Sequence, residues 1–327
     1  MNFIIVSSSI LLVLYLFFYN FNFPFWVYPI TFLVELNIVI IIYYRTFFSS
    51  DKRTTQTTLS EDDQNQLKEL EIARRVQTAL LDVETPEIDG IKIAKRCTPA
   101  ATLGGDFYTF VSKSTHSLSP KSHLPGVIEY NDKYENILGF AIGDVAGHGV
   151  SSALVMALSF GILGKIGQRI TSPENVLKRA NEDIRKFITN SQISHVTAIY
   201  GTIHPQTRIF TYASAGHNPP LLVKANQDFV QELYSQGAFL GMYPDEEYES
   251  HEVQLETGDR IVLFTDGIIE PMNPQKEMFG EARLKKLLLE FSNEPIDVLI
   301  DHILDEVNRF SSSSTLKDDQ TIIIIEV

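Results

Sequence analysis

"GDVAGHG" occupies residues 143–149, between the apolar runs ILGFAI (137–142) and VSSALVMALSFGILG (150–164). The first run reads as a buried strand and the second as a helix, so the heptapeptide is the turn that joins them. Asp144 then stands at the end of a core strand, where a carboxylate is tolerated only if something compensates its charge. Three more aspartates hold the same kind of position: Asp106 in LGGDFYTF (103–110), Asp266 in TDGIIE after RIVLF (260–264), and Asp318 in DDQT (318–321) ahead of TIIIIEV. For any one of them, a turn whose Asp accepts backbone N–H groups is a sufficient explanation. The repetition asks for more: four carboxylates stand at strand ends among glycine or small polar neighbours rather than Lys or Arg partners, Lys317 beside Asp318 being the one basic residue directly next to any of them in the sequence. Gathered at one place they repel one another unless a cation lies among them. Oxygen ligands without cysteine select Mg2+ or Mn2+ over zinc. Two such ions can polarise a phosphoryl group and activate water for in-line attack.

Outward from this turn, strands are expected near 91–96, 105–111, 136–143, 195–203, 208–214, 220–224, 252–256, 260–265 and 320–326. Helices are expected over 150–166, 173–189, 281–291 and 296–310. Ser172-Pro173 supplies a cap residue and a proline at the first helical position. Val176, Ala180, Ile184 and Phe187 or Ile188 then form one face. The strands come in runs separated by turns such as HPQT (204–207) and ETGD (256–259), which favours antiparallel pairing. The polar stretch 112–126 reads as an exposed loop whose His116 and His123 are solvated and hold no metal.

GGDFY, GDVAGHG, SAGHNPPLL (214–222), TDGIIE and DDQT, in this order and spacing, resemble the SpoIIE/RsbU-type serine phosphatases of the metal-dependent protein phosphatase 2C (PPM) superfamily. The resemblance covers roughly residues 68–327. It implies an α+β fold, an α-β-β-α sandwich of two antiparallel sheets flanked by helices, with two Mn2+ or Mg2+ ions at one edge. It also implies roles for individual residues. Asp144 bridges both metals and the Val145 carbonyl helps to ligate one. Asp266 and Asp318 hold the second, and Asp106 reaches the water around them. On this reading Asp144 and Asp266 are the catalytic pair, and Asp319 has no ligand role. Thr109 stands where the family often has Asp, at a position that touches no metal. The wider superfamily has a candidate acid two residues after the bridging Asp; here that position is Ala146, and the role is not transferred to His148. His148 is expected to be hydrogen-bonded inside the glycine-rich turn. His217 and Asn218 are expected to shape a strand turn beside the site, and all three are candidates for the substrate side only. Thr197 and Ala198 match family core positions.

The 327 residues carry a net charge of -14 and one cysteine, Cys97. Nucleic acid is a poor partner for such a chain, and an internal disulfide is impossible. Residues 2–19 carry no charge and 23–44 carry only Glu35; each approaches the ~20 apolar residues that span a bilayer. Trp26, Tyr28, Tyr43 and Tyr44 suit its interfaces, and Arg45, Lys52 and Arg53 keep the remainder in the cytoplasm. Residues 1–48 thus read as a two-helix transmembrane hairpin in the cytoplasmic membrane. Glu35 is costly there unless it bonds to Ser7, Ser8 or Ser9. Residues 49–66 read as a polar linker, with Ser60 as a cap for the helix that follows. Residues 67–82 read as a regulatory helix whose stripe of Leu67, Leu70, Ala73, Val76 and Leu80 packs on the domain or forms a homodimer. Residues 83–327 form the phosphatase domain.

The family resemblance implies a phosphorylated STAS-domain protein, an anti-sigma-factor antagonist, as the substrate. Two other readings compete. A nucleotide cyclase shares GGDF, but the Glu of the GGDEF signature is missing, with Phe107 directly after Asp106, and the other motifs would have no role. A non-catalytic membrane sensor or scaffold would have no need of four intact aspartates.

Overall fold

The structure, a computed structural model, describes residues 61–113, 137–170, 172–189, 193, 195–225, 227–312 and 316–327. The expected membrane hairpin, residues 49–60 of the polar linker with Ser60, and His116 and His123 lie outside the described residues; residues 61–66, also expected in the linker, are helical. The chain divides into two compact units, Met1–Gln64 and Asn65–Val327, and every named strand belongs to the second.

Helix α1 (Glu61–Leu81) leads into strands β1 (Lys92–Thr98), β2 (Phe107–Lys113) and β3 (Ile137–Val145). Helices α2 (Val150–Gly167) and α3 (Pro173–Ile188) follow, then β4 (Val196–His204), β5 (Ile209–Ala215), β6 (Leu221–Val223), β7 (Val230–Glu232), β8 (His251–Gln254) and β9 (Arg260–Phe264). Helices α4 (Gly280–Glu290) and α5 (Ile296–Ser311) precede the last strand, β10 (Gln320–Glu326). The strands form two 5-stranded sheets, in the orders β1-β10-β9-β6-β7 and β2-β3-β4-β5-β8, and every pairing between named strands is antiparallel.

The period of two in a strand builds the layers. In β10, Ile323 and Ile325 join the core between the sheets, while Ile322 and Ile324 face α4 and α5. In β3, Leu138, Phe140 and Ile142 enter the inter-sheet core, and Ala141 and Val145 turn toward α2 and α3. A strand buried on both faces reads as an unbroken apolar run, which explains TIIIIEV. The result is the expected four-layer sandwich. Among the described residues one helix, α2, is long and apolar enough to cross a membrane, but its Met156 and Leu163 are fully buried in the core beneath α2 and α3.

Two further details differ from expectation, and a third decides between the two residues the sequence offered for α3. Strand β7 is short and half polar (VQE), too brief to leave a periodic signal in the sequence. On α3 the inward position is Ile188, and Phe187 is 60% exposed. On α1, Leu67 and Val76 stay exposed, whereas Leu70, Ala73 and Leu80 are half-buried on the face that carries buried Gln77, so only part of the stripe faces inward. A polar contact between Gln77 and the GGD turn decides which face does.

Where β3 passes β2 and β4 there is no room for a side chain. A Cβ on Gly143 would lie 2.3 Å from the Thr197 carbonyl oxygen and 2.4 Å from the Phe107 ring. This close approach sets the position of Asp144, the next residue. Gly143→Ala is expected to cost about 1–3 kcal/mol through overpacking, seen as a lower urea midpoint with an unchanged slope; an unchanged midpoint would contradict this packing.

Candidate functional site

Four segments end at one edge of the sandwich: the turn before β2, the end of β3, the turn after β9 and the turn before β10. They bring Asp106, Asp144, Asp266 and Asp318 within electrostatic reach of one another. Burial, then the charges of Asp266, Asp318 and Asp319, push the Asp144 carboxyl from 3.8 up to about 7, against a hydrogen bond with Asp106. Burial and then Asp144 hold Asp106 well above the carboxylate range, although the Thr321 and Thr265 hydroxyls favour its anion. Asp266 is raised by burial and then by Glu270, and Asp318 by burial and then by Asp266. Among the described residues no Lys or Arg is ion-paired with any of the four. Nor, among them, do three His, Cys, Asp or Glu side chains already converge as a group able to hold an ion. The charges are collected but not neutralised.

The backbone around the cluster is shaped for oxygen ligands. A Cβ on Gly105 would lie 2.7 Å from the Val145 carbonyl oxygen and 3.1 Å from an Asp144 carboxylate oxygen. Only glycine leaves that space beside the two donors. Gly147 and Gly149, with φ of 93° and 88°, turn the chain from Asp144 into α2 through a conformation that other residues resist.

Supporting contacts come from residues that the motifs do not single out. Asp319, 7% exposed, accepts the Ala100 N–H at 2.7 Å on one oxygen and the Gly105 N–H at 2.6 Å on the other. It thereby fastens the GGD turn to the start of β10. Thr265 and Thr321 donate hydroxyls to Asp106 Oδ2 at 2.7 and 2.6 Å. Thr321 Oγ1 also lies 3.2 Å from Cys97 Sγ; burial pushes that thiol up to about 12, so it is protonated and can donate. Gln77 of α1 reads both polar groups of Gly104: its Nε2 donates to the carbonyl at 2.8 Å and its Oε1 accepts the N–H at 3.0 Å. A glutamine inside an amphipathic helix carries no local signal that it will be buried. For Asp319 the adjacent DD pair is the available clue.

The remaining candidates separate. His217 Nδ1 lies 2.9 Å from Thr197 Oγ1, which in turn accepts the Asp144 N–H at 3.2 Å. Burial pulls the His217 ring down to about 4, so it is neutral; the Phe264 carbonyl opposes that shift, although Nε2 is outside hydrogen-bonding geometry. His217 therefore braces the end of β3. Asn218 is half-buried in the same turn. His148 departs from expectation: it is exposed, without a hydrogen bond in the turn among the described residues, and its charge lowers the Asp318 carboxyl. The flanking positive-φ glycines hold it away from the backbone groups it was expected to meet.

Residues 135–327 match the family model described as Stage II sporulation protein E (SpoIIE). The chain is 28% identical over 268 residues to the phosphoserine phosphatase RsbU of Bacillus subtilis, covering 82% of this chain and 72% of that one. It is 27% identical over 266 residues to the phosphoserine phosphatase RsbP of the same organism, covering 80% and 59%. Among solved structures, the SiaA-PP2C domain of Pseudomonas aeruginosa superposes with a TM-score of 0.66 at 19% identity, over 82% of this chain and all of that domain. The PP2C domain of SpoIIE from Bacillus subtilis, solved with a fragment of its regulatory domain, gives 0.57 at 18% identity, over 75% and 64%. The structural likenesses establish the PP2C-like fold, and the family model spans more than half of the chain. This protein belongs to the SpoIIE family of PP2C-type serine phosphatase domains.

Proposed function

We propose that the protein is a membrane-anchored, metal-dependent phosphoserine/phosphothreonine protein phosphatase acting on a phosphorylated STAS-domain protein. The observation that carries the metal dependence is the set of mutually raised, unpaired carboxylates around the Gly105 cradle. The donors fit two Mn2+ or Mg2+ ions: all are hard oxygens. Asp144 and the Val145 carbonyl, together with Asp266 and Asp318, would hold them, with Asp106 behind. When bound, such ions neutralise the carboxylates, polarise the phosphoryl group and activate water. The Thr265 and Thr321 hydroxyls orient Asp106 and favour its anion against the burial that raises it. Asp319 and Gln77 hold the GGD turn at its working distance from Asp144. His148 is exposed, lies close enough to act electrostatically on Asp318, and is a candidate to face the substrate.

The substrate reading is supported by the motif set and by the similarity to RsbU and RsbP, themselves named phosphoserine phosphatases. Anchoring is supported by the uncharged run 2–19 and the nearly uncharged 23–44. The exposed Leu67, Ile72 and Val76 on α1 support a homodimer through that helix. Regulation through α1 has a physical route. Besides Gln77, the Tyr108 hydroxyl donates to the Leu81 carbonyl and Lys95 Nζ donates to the Val83 carbonyl at 2.6 Å. The end of the helix is thus tied to the strand that follows Asp106.

With Mn2+, the protein is expected to release phosphate from p-nitrophenyl phosphate and from a phosphoserine STAS protein. Asp144→Asn or Asp266→Asn should lower kcat at least about 100-fold, the equivalent of two tenfold steps of barrier. An Asp144→Asn protein with full activity would favour the non-catalytic scaffold.

The pH dependence has a defined sign. The folded Asp144 holds its proton more tightly than the unfolded chain does, so without metal its effect on stability worsens as pH rises from about 4 to about 7 and stays unfavourable above. Metal takes the place of that proton. The rise in Tm on exchanging EDTA for Mn2+ should therefore grow between pH 5.5 and 7.5. Asp144→Asn should raise the Tm in EDTA at pH 8 and abolish the Mn2+ response.

Gln77→Ala leaves two buried polar groups of Gly104 without partners, at about 1–3 kcal/mol. Because that turn borders the ligands, the variant should need at least fivefold more Mn2+ for half-maximal activity, read from metal titrations. An unchanged Mn2+ requirement would remove α1 from control of the site.

A further inference from the structure

Beside the carboxylate cluster lies a cavity of about 190 Å³. Two of its walls belong to the site, since Asp318 lines it and Gly267 directly follows Asp266. The rest of its surface is mainly apolar, from Pro271, Met272 and Leu316, with Glu270 and Lys317 at its rim. Met272 is 39% exposed and Met278, bridged to it across a small hairpin, is 50% exposed. The metal chemistry makes no use of this hollow or of the two exposed methionines.

We propose that the cavity is a specificity subsite that receives an apolar side chain one or two residues from the phosphoserine of the substrate. The proposal rests on the phosphatase reading. A phosphoryl group delivered to Asp144, Asp266 and Asp318 brings its own chain across this wall, because an extended segment advances only about 3.3 Å per residue. A dry cavity of about 150 Å³ suffices for a benzene ring, so the space matches one Leu-, Met- or Phe-sized side chain. Glu270 and Lys317 are of opposite sign and give a charged side chain no net preference. The thioether of Met272 adapts to apolar groups of differing shape. The subsite selects among phosphoproteins without touching the reacting atoms.

The test uses full-length protein with Mn2+, p-nitrophenyl phosphate, and phosphoserine peptides carrying Leu, Gly, Asp or Lys at each of the two positions on either side. Leu at one of these positions should raise kcat/KM at least tenfold over Gly, and Met272→Glu should erase that preference. Hydrolysis of p-nitrophenyl phosphate together with equal kcat/KM for all peptides overturns the subsite alone. So does a Leu preference that survives in Met272→Glu. Because the wild-type peptide series decides by itself, a poorly folded variant does not rescue the idea. Failure to hydrolyse p-nitrophenyl phosphate and every peptide overturns the phosphatase reading and the subsite with it.

Discussion

Repulsion among four aspartates at one edge of a two-sheet sandwich is the constraint around which the rest of this protein is organised. Each of Asp106, Asp144, Asp266 and Asp318 holds its proton more tightly than an exposed carboxyl does. The fold keeps them together all the same, through contacts that have nothing to do with their charge. Gly143 lets β3 run against the Phe107 ring and the Thr197 carbonyl, and Asp319 bonds the GGD turn to β10. Stability is thereby given up at the place where, on the reading proposed above, bound cations would recover it.

The same contacts give α1 a hold on the chemistry. Gln77 is buried because it satisfies both the N–H and the carbonyl of Gly104, and Gly104 is two residues from Asp106. A helix that moves must break both bonds. The last residue of α1 is also tied by Tyr108, and the chain just after it by Lys95, whereas Leu67, Ile72 and Val76 remain exposed. On the reading proposed above, input on the exposed face and output on the Gln77 face would be carried by one helix, and regulation and metal affinity would be two views of a single equilibrium.

The layers of the fold are legible in the sequence because strand burial writes a clear pattern: TIIIIEV is apolar at nearly every step since both of its faces are covered. GDVAGHG is legible because a carboxylate and glycines between apolar runs have few structural uses. The residues that position the site are harder to see. Asp319 sits beside Asp318 and differs from it only in which way it points, toward backbone N–H groups. Thr265 and Thr321 look like ordinary strand residues until their hydroxyls are found on Asp106. Gln77 breaks the apolar stripe of α1 in favour of a polar contact 27 positions away, a distance no local pattern spans. His148 misleads because its neighbouring glycines suggest a ring folded back on the turn, while the chain directs it outward.

Anomalous diffraction at the manganese edge, from crystals of the phosphatase domain with α1 grown in Mn2+, tests the central claim most directly. A pair of peaks bounded by Asp144, the Val145 carbonyl, Asp266 and Asp318 is the predicted result, lost in Asp144→Asn crystals. Well-ordered crystals with no peak among these oxygens, or with manganese bound only elsewhere, would contradict it.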